Sequence, residues 1–355
     1  MGQLDNVIGR YKRMRNMRDL SLIYTRQYAL VGLGSHCVGN LLPVIHHLQL
    51  PLKYICCTSE RKAELISGKY KGVKGTASLQ EILDDDTVSG VFVAANPHAH
   101  FQLASEVVKA GKSLFVEKPP CRDERELRLL ADAVKLYGPR HVLVGLQRRF
   151  APATRILQER LRGASRRHYH YRYLTGLYPE GDALLDLFIH PLDYVTFLFG
   201  EARVKTADMV GSKDGGRTLF LILEHRDMTG MLELSTDYSW QNAQEQLSVS
   251  TDKGLYVLDG MEQLDFFPRR SAVFGIPLEK VFRRDVAAVH LYGRNAFVPT
   301  LGNNQLVSQG FFSEIKTFAD RVEGRCEDDN AFGFESVGPV YSLMSAIKEK
   351  CMGKK

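Results

Sequence analysis

Between residues 28 and 144 the chain passes through five short, continuous apolar segments: Tyr28–Val31, Leu52–Cys57, Val91–Ala95, Leu114–Val116 and Val142–Val144. Helical stretches separate them. Ser78 followed three residues later by Glu81 has capping-box spacing. Phe101–Ala110 is stopped by Gly111, and Glu124–Tyr137 by Gly138-Pro139. A strand that is apolar throughout, rather than at alternate positions, has both faces buried. Strand–helix alternation of this kind constrains the chain to an α/β domain with a parallel, doubly wound sheet covered by helices on both sides.

After residue 146 the pattern changes. HYHYRY at 168–173 alternates strictly, and TLFLILEH, GMLELSTDY, EQLSVST and LYVLDG follow, separated by turn residues such as Asp252-Lys253-Gly254. These predict neighbouring antiparallel strands of one larger sheet, with helices over 311–323 and 337–350. At 355 residues the chain is too long for one simple core. The division that follows is an extension over 1–27, a parallel α/β domain over 28–146 and an α+β domain over 147–355.

The extension crowds Arg10, Lys12, Arg13, Arg15 and Arg18 around Met14 and Met17. A surface helix leading into the first strand is favoured over a nucleic-acid or membrane patch. No matching basic face is found elsewhere, and a net charge of +6 is mild. Hydrophobic content of 44%, no apolar run of membrane-spanning length and no export leader point to a cytoplasmic protein with no membrane or nucleic-acid partner. Cysteines at 37, 56, 57, 121, 326 and 351 form no CxxC pair and no cluster with histidine, which predicts buried free thiols and no metal.

VGLGSHCVG, residues 31–39, follows the first strand and opens a helical stretch. Gly32 and Gly34 fit the start of a dinucleotide fingerprint: a tight turn, then backbone amides free to reach a pyrophosphate at the helix N-terminus, with Ser35 and His36 at the same site. Cys37 stands at the third glycine position. At the end of the second strand, Thr58, Ser59 and Arg61 replace the acid that usually holds the ribose of NAD. Hydroxyls and a guanidinium suit a 2′-phosphate, so NADP is favoured over NAD. In AANPHAH, Asn96, Pro97 and His100 fall at the carboxyl edge of the third strand, beside the cofactor. For His98 and His100 a capping or packing role outweighs a catalytic one.

SLFVEKPPC, residues 113–121, ends the fourth strand on Glu117 and Lys118 at that same edge. Pro119 and Pro120 fix the backbone there, and the Lys118-Pro119 bond is free to be cis. In DALLDLFIHPLDYVTFLFG, Asp186, His190 and Asp193 are spaced i, i+4 and i+7, one face of a helix that Pro191 is expected to kink. An acid one turn from a histidine suits proton handling, and a buried polar pair within a core helix is the plain alternative.

With GLG, NPHAH, EKPP, RRFAP and DLFIHPLD in this order, residues 28–350 resemble the glucose–fructose oxidoreductase/inositol dehydrogenase/MocA family. The resemblance implies a Rossmann domain followed by an α/β domain with a large open, mostly antiparallel sheet that builds a dimer or tetramer. It implies hydride transfer between NAD(P) and a hydroxyl carbon of a sugar, cyclitol or nucleotide sugar. Lys118 matches the lysine that orients the substrate oxygen, and Asp186 with His190 the acid–histidine pair. Arg149, Tyr178 and Asp193 become candidate substrate contacts. Phe188, where the family usually has glycine, is expected to narrow the pocket, and the loop Thr175–Asp182 lacks the family's tryptophan, with Tyr178 as its substitute. The alternative is a nucleotide-sensing regulator on the same fold without turnover.

Overall fold

The computed structural model describes residues 2–352 except 140, 270–271, 275, 278–279, 281–287, 296, 298–303 and 327–331. Helix α1 (Gly2–Ser21) leads into a six-stranded, all-parallel sheet. Its strands are β1 (Gln27–Val31), β2 (Leu52–Cys56), β3 (Lys74–Thr76), β4 (Val88–Val93), β5 (Ser113–Glu117) and β6 (Val142–Gly145). They lie in the order β3-β2-β1-β4-β5-β6, so the chain reverses direction across the sheet between β1 and β4. The five apolar runs are all strands. β3 was not anticipated, because three residues with one buried carry no periodic signal.

The connecting helices are α2 (Leu42–His47), α3 (Glu60–Lys69), α4 (Leu79–Leu83), α5 (Pro97–Lys109) and α6 (Glu124–Tyr137). Their ends follow local chemistry. Ser78, Asn96 and Asp123 each accept a hydrogen bond from a first-turn amide, and Gly138 closes α6 in the left-handed conformation with φ 59°. α5 starts at Pro97 rather than Phe101, since proline loses nothing in a first turn whose amides have no helical partner.

The second sheet has eight strands in the order β16-β13-β12-β11-β7-β10-β9-β8. They are β7 (Arg166–Leu174), β8 (Ala202–Gly211), β9 (Arg217–His225), β10 (Thr229–Ser235), β11 (Gln244–Thr251), β12 (Gly254–Asp259), β13 (Gln263–Pro268) and β16 (Val289–Gly293). β14 (Ala272–Val273) and β15 (Ile276–Pro277) make a separate small hairpin. The sheet is mostly antiparallel, but β10 runs parallel to β7, which corrects the expectation of antiparallel neighbours. The chain leaves β7 through two helices and returns by the β8-β9-β10 meander, so β10 arrives in the direction of β7. The alternation in HYHYRY is obeyed: Tyr169, Tyr171 and Tyr173 are buried.

Among the described residues, the further helices are α7 (Pro152–Leu161), α8 (Ala183–Asp186), α9 (Ile189–Phe199), α10 (Gln305–Ser308), α11 (Phe311–Val322) and α12 (Gly338–Met352). The stretch 182–200 is two helices, not one kinked helix. The chain breaks at Leu187-Phe188, and Pro191 falls in the first turn of α9, where a missing amide hydrogen costs no helical bond. α11 crosses back to the first sheet, where Phe318 packs at 5.0 Å on Phe92 and 5.9 Å on Phe115. A boundary at residues 146 and 147 therefore misplaces α11, whose apolar face completes the core over β1, β4 and β5. All six cysteines are free; Cys37, Cys56 and Cys121 are buried, Cys57 and Cys351 are half-buried, and Cys326 is exposed, against the expectation for those three.

Candidate active site

The reversal between β1 and β4 opens a crevice at the carboxyl ends of the strands, and the chain's short loops turn into it. Gly32 sits at φ +96°, and a Cβ there would lie 2.5 Å from the Ala94 carbonyl oxygen. Only glycine fits this turn between two adjacent strand ends. A Cβ on Gly34 would meet nothing within 4 Å, so the space beside it is open to a ligand. The helix that follows passes through a π-helical turn at Cys37–Leu41, with Cys37 buried at the position where a glycine was expected. Burial, helped by Glu117, pushes the Cys37 thiol up to about 12, so it is a packing group.

A cleft of about 780 Å³ results, lined by Gly32, Gly34, Ser35, His36, Thr58, Asn96, Pro97, His100, Glu117 and Lys118 among others. The bare Gly34 edge, the helix start and these polar side chains fit a dinucleotide. Two expected contacts are not part of the lining. The Ser59 hydroxyl caps α3 by accepting the Lys62 amide at 3.4 Å, and Arg61 is exposed on the outer side of that helix start. Lys62, Lys69 and Tyr70 line the cleft instead. One helical position decides which of two neighbouring cations lines the cleft, and here it is Lys62 rather than Arg61. Gly34→Val is expected to leave thermal stability near that of the parent and to abolish detectable NAD(P)H binding by fluorescence titration. Gly32→Val should lower both, because its Cβ strikes backbone.

Lys118 follows β5, and the Lys118-Pro119 bond is cis. His100 ties this turn to the β4 turn: its Nδ1 is 2.8 Å from the Pro119 carbonyl oxygen and its Nε2 is 3.0 Å from that of Ala95. Burial lowers its pKa. His100 thus stands on the cleft wall as a brace, as a packing role requires. Lys118 Nζ donates to the Asp186 backbone carbonyl at 2.7 Å, linking the first domain to α8 of the second. Burial lowers the pKa of Lys118, with Arg148 adding to it and Glu117 and Asp186 opposing. His190 is buried, and its imidazole is driven well below its ordinary pKa by desolvation and then by Arg148, Lys118 and His36. It is a neutral base at pH 7. Burial raises the Asp186 carboxyl, which accepts from the Tyr178 hydroxyl at 3.3 Å. The sequence-predicted trio therefore comes together, but Asp186 meets Lys118 through its backbone and Tyr178 through its carboxyl.

Arg149 and Asp193 do not face a cavity. Their side chains, 3% and 2% exposed, form an ion pair, and Arg149 Nη1 also donates to Ser336 Oγ at 2.9 Å. The neighbouring Arg148, which sequence reasoning passed over, is the arginine at the site. Its Nε and Nη2 donate to Glu245 at 2.6 and 2.7 Å, its plane lies 5.7 Å from the Tyr173 ring centre, and Nη1 is buried without a hydrogen-bond partner. These groups border a second cavity of about 580 Å³, with Trp240, Arg294 and Gln309. Phe188 lines neither cavity. It is 4% exposed and packs edge-on against Tyr173, so it fills core rather than narrowing the pocket. The tryptophan missing from the 175–182 loop is supplied from elsewhere, since Trp240 Nε1 donates to the Leu177 carbonyl at 2.8 Å. No metal-binding group of His, Cys, Asp or Glu occurs among the described residues, and no described helix is long and apolar enough to cross a membrane.

A doubly wound sheet with a glycine cradle and a lysine pinned at its edge, beside a buried neutral histidine on α9, fits the class of nicotinamide-dependent oxidoreductases. The model of the family described as "Oxidoreductase family, NAD-binding Rossmann fold" matches residues 26–146. The chain is 30% identical over 250 residues, 67% of its length and 78% of the other, to the Salmonella typhimurium protein YceM, named as an oxidoreductase. It is 27% identical over 145 residues, 39% of its length and 42% of the other, to an inositol 2-dehydrogenase of Acidothermus cellulolyticus. The protein belongs to the Gfo/Idh/MocA oxidoreductase family. Its fold matches a dehydrogenase from Chromobacterium violaceum with TM-score 0.76 at 18% identity, covering 94% of this chain and 97% of that one. It also matches a levoglucosan dehydrogenase solved with NADH and levoglucosan, with TM-score 0.73 at 19% identity over 93% and 98% of the chains.

Proposed function

We propose that this protein transfers hydride between NAD(P) and a hydroxyl-bearing carbon of a sugar, a cyclitol or a nucleotide sugar. The observation that carries this reading is the Lys118–Asp186 link, which ties an ammonium on the dinucleotide cleft to the second domain, with the buried His190 close enough for the Lys118 charge to lower its pKa. The names of the inositol and levoglucosan dehydrogenases support the substrate class. When bound, the nicotinamide supplies the hydride acceptor or donor. His190, uncharged, takes the hydroxyl proton as the carbon is oxidised and returns it in reduction. The Lys118 ammonium stabilises charge developing on the substrate oxygen. Arg148, its charge balanced by Glu245, holds the wall of the second cavity beside Tyr173. Asp186 and Tyr178 hold the α8 end on which Lys118 rests. Lys118, Asp186 and His190 together stand against the non-catalytic alternative.

The test is a turnover screen of sugars, cyclitols and nucleotide sugars with both cofactors, followed at the nicotinamide absorbance. If cofactor binds and no member of any class turns over, the reading fails. For an active substrate, kcat/KM for oxidation should stay flat through pH 6–7, since the lowered His190 already lacks its proton there, and should fall on the alkaline side earlier than an ordinary lysine would dictate, as Lys118 loses its charge.

Cofactor preference rests on Thr58 and Lys62 in this reading. Lys62→Ala should weaken NADPH binding roughly ten- to hundred-fold and NADH binding less than three-fold, the loss of one charge-assisted phosphate contact. Equal losses for the two cofactors would remove the case for NADP. Self-association, as a dimer or tetramer, is assigned to the outer face of the second sheet, where Phe220, Met231, Leu255 and Phe267 are exposed.

A further inference from the structure

Behind Lys118 lies a pair of carboxyl groups that the proposed chemistry does not use. Glu314, on α11, is completely buried, and neither of its side-chain oxygens has a hydrogen-bond partner. Glu117, at the end of β5, is 5% exposed, and its Oε1 is likewise buried and without a hydrogen bond. His36 Nε2 approaches that oxygen at 3.3 Å, but not in line for a hydrogen bond. The other oxygen of Glu117 accepts the Lys118 backbone amide at 3.2 Å. Three orphaned carboxyl oxygens within one buried region are far outside what folded proteins tolerate, unless a proton joins them.

The two groups converge on one spot of β6. Glu117 lies over Gly145, where a Cβ would come within 3.2 Å of its carboxyl carbon and Oε2. Glu314 is turned to the next residue, where the Leu146 amide lies on the approach to its carboxyl without closing a hydrogen bond. Other charges facing this region are committed elsewhere. Arg149 is bound to Asp193, Arg148 to Glu245, and Lys118 Nζ to the Asp186 carbonyl; His190 and Asp186 complete the surroundings.

We infer that Glu314 is a neutral carboxylic acid that donates its hydroxyl proton to Glu117 Oε1 and thereby fixes the carboxylate on which the Lys118 turn hangs. One proton shared between the two carboxyl groups satisfies two of the three orphaned oxygens and removes the repulsion that two carboxylates would suffer; the remaining Glu314 oxygen is left on the side of the Leu146 amide. Burial, then the charge of Glu117, holds Glu314 well above its ordinary range, in agreement with a protonated acid at pH 7. Glu314 is on this account a positioning residue. It touches neither cofactor nor substrate, and it acts through Glu117 on the placement of Lys118. Its bearing on turnover rests on the function proposed above, whereas the shared proton is a property of the folded chain alone.

The experiment therefore needs no substrate. Infrared difference spectra of the full-length protein at pH 7 should show the carbonyl stretch of a protonated carboxylic acid, shifted by deuterium exchange. Glu314→Gln, which keeps the shape and an N–H donor, should remove that band while the protein stays folded by circular dichroism. Glu117→Gln should keep the band but move it, because the proton then faces an amide oxygen instead of a carboxylate. Absence of any acid band assignable to Glu314 in the parent overturns the inference. So does a band that Glu117→Gln leaves in place, which would mean that Glu314 is protonated by burial alone and does not hold Glu117.

Discussion

Lys118→Met is expected to lower turnover by on the order of 10² or more while cofactor affinity stays within a few-fold of the parent, the scale of losing one positioned charge in a desolvated site. Methionine keeps the bulk and removes the ammonium. Affinity should be spared because the lysine ammonium, although it borders the cleft, is already engaged by the Asp186 carbonyl at the domain junction. His190→Ala should resemble it, and the double variant should fall far short of the product of the two losses, since base and ammonium act on one oxygen. Rates come from steady-state kinetics on a substrate found in the screen, affinity from quenching of nicotinamide fluorescence. Near-normal turnover of Lys118→Met would sink the catalytic role. Outright loss of cofactor binding would make the EKPP turn part of the nucleotide site.

The second large effect concerns folding. Asp193→Asn is expected to destabilise the protein by about 3–5 kcal/mol, because it leaves the Arg149 guanidinium buried beside a neutral amide. For a domain of this size that is roughly 10 °C in the first thermal transition. Replacing both partners with apolar residues, Arg149→Met with Asp193→Leu, should recover much of the loss, since no charge then remains buried. Calorimetry of the three variants measures this. A double variant as unstable as the sum of the two single ones would show that the pair works through its other contacts, such as Arg149 with Ser336.

The same pair shows where sequence reasoning stopped. In RRFAP, two adjacent arginines differ by one position on a short 3-10 helix, Gln147–Phe150. One turns to Glu245 at a cavity, the other to Asp193 in the interior. Nothing in the residue types separates them, because both partners lie more than forty positions away and on different elements. At a helix start, the choice between Arg61 and Lys62 as the cleft-lining cation was hidden for the same reason. Glu314 carried no local signal either. An acid in an amphipathic helix reads as a solvent-facing residue until the helix is seen to pack on the sheet of the other domain.

Lys118, His190 and Asp186 were legible because their signals are local and strong. A strand that ends on a charged pair and is locked by two prolines must present those charges at the sheet edge. The acid and the histidine four residues apart end on different helices, Asp186 on α8 beside Tyr178 and His190 buried on α9. The sequence by itself determined the parallel sheet, its glycine turn and the placement of Lys118 at the sheet edge, since each depends on periodicity or on residues only a few positions apart. Tertiary structure alone decided which arginine faces the cavity, that Trp240 braces the 175–182 loop, that β10 runs parallel to β7, and that α11 crosses back over the first sheet to set Glu314 behind Lys118. Those outcomes depend on contacts between distant segments, and such contacts form only when the whole core closes.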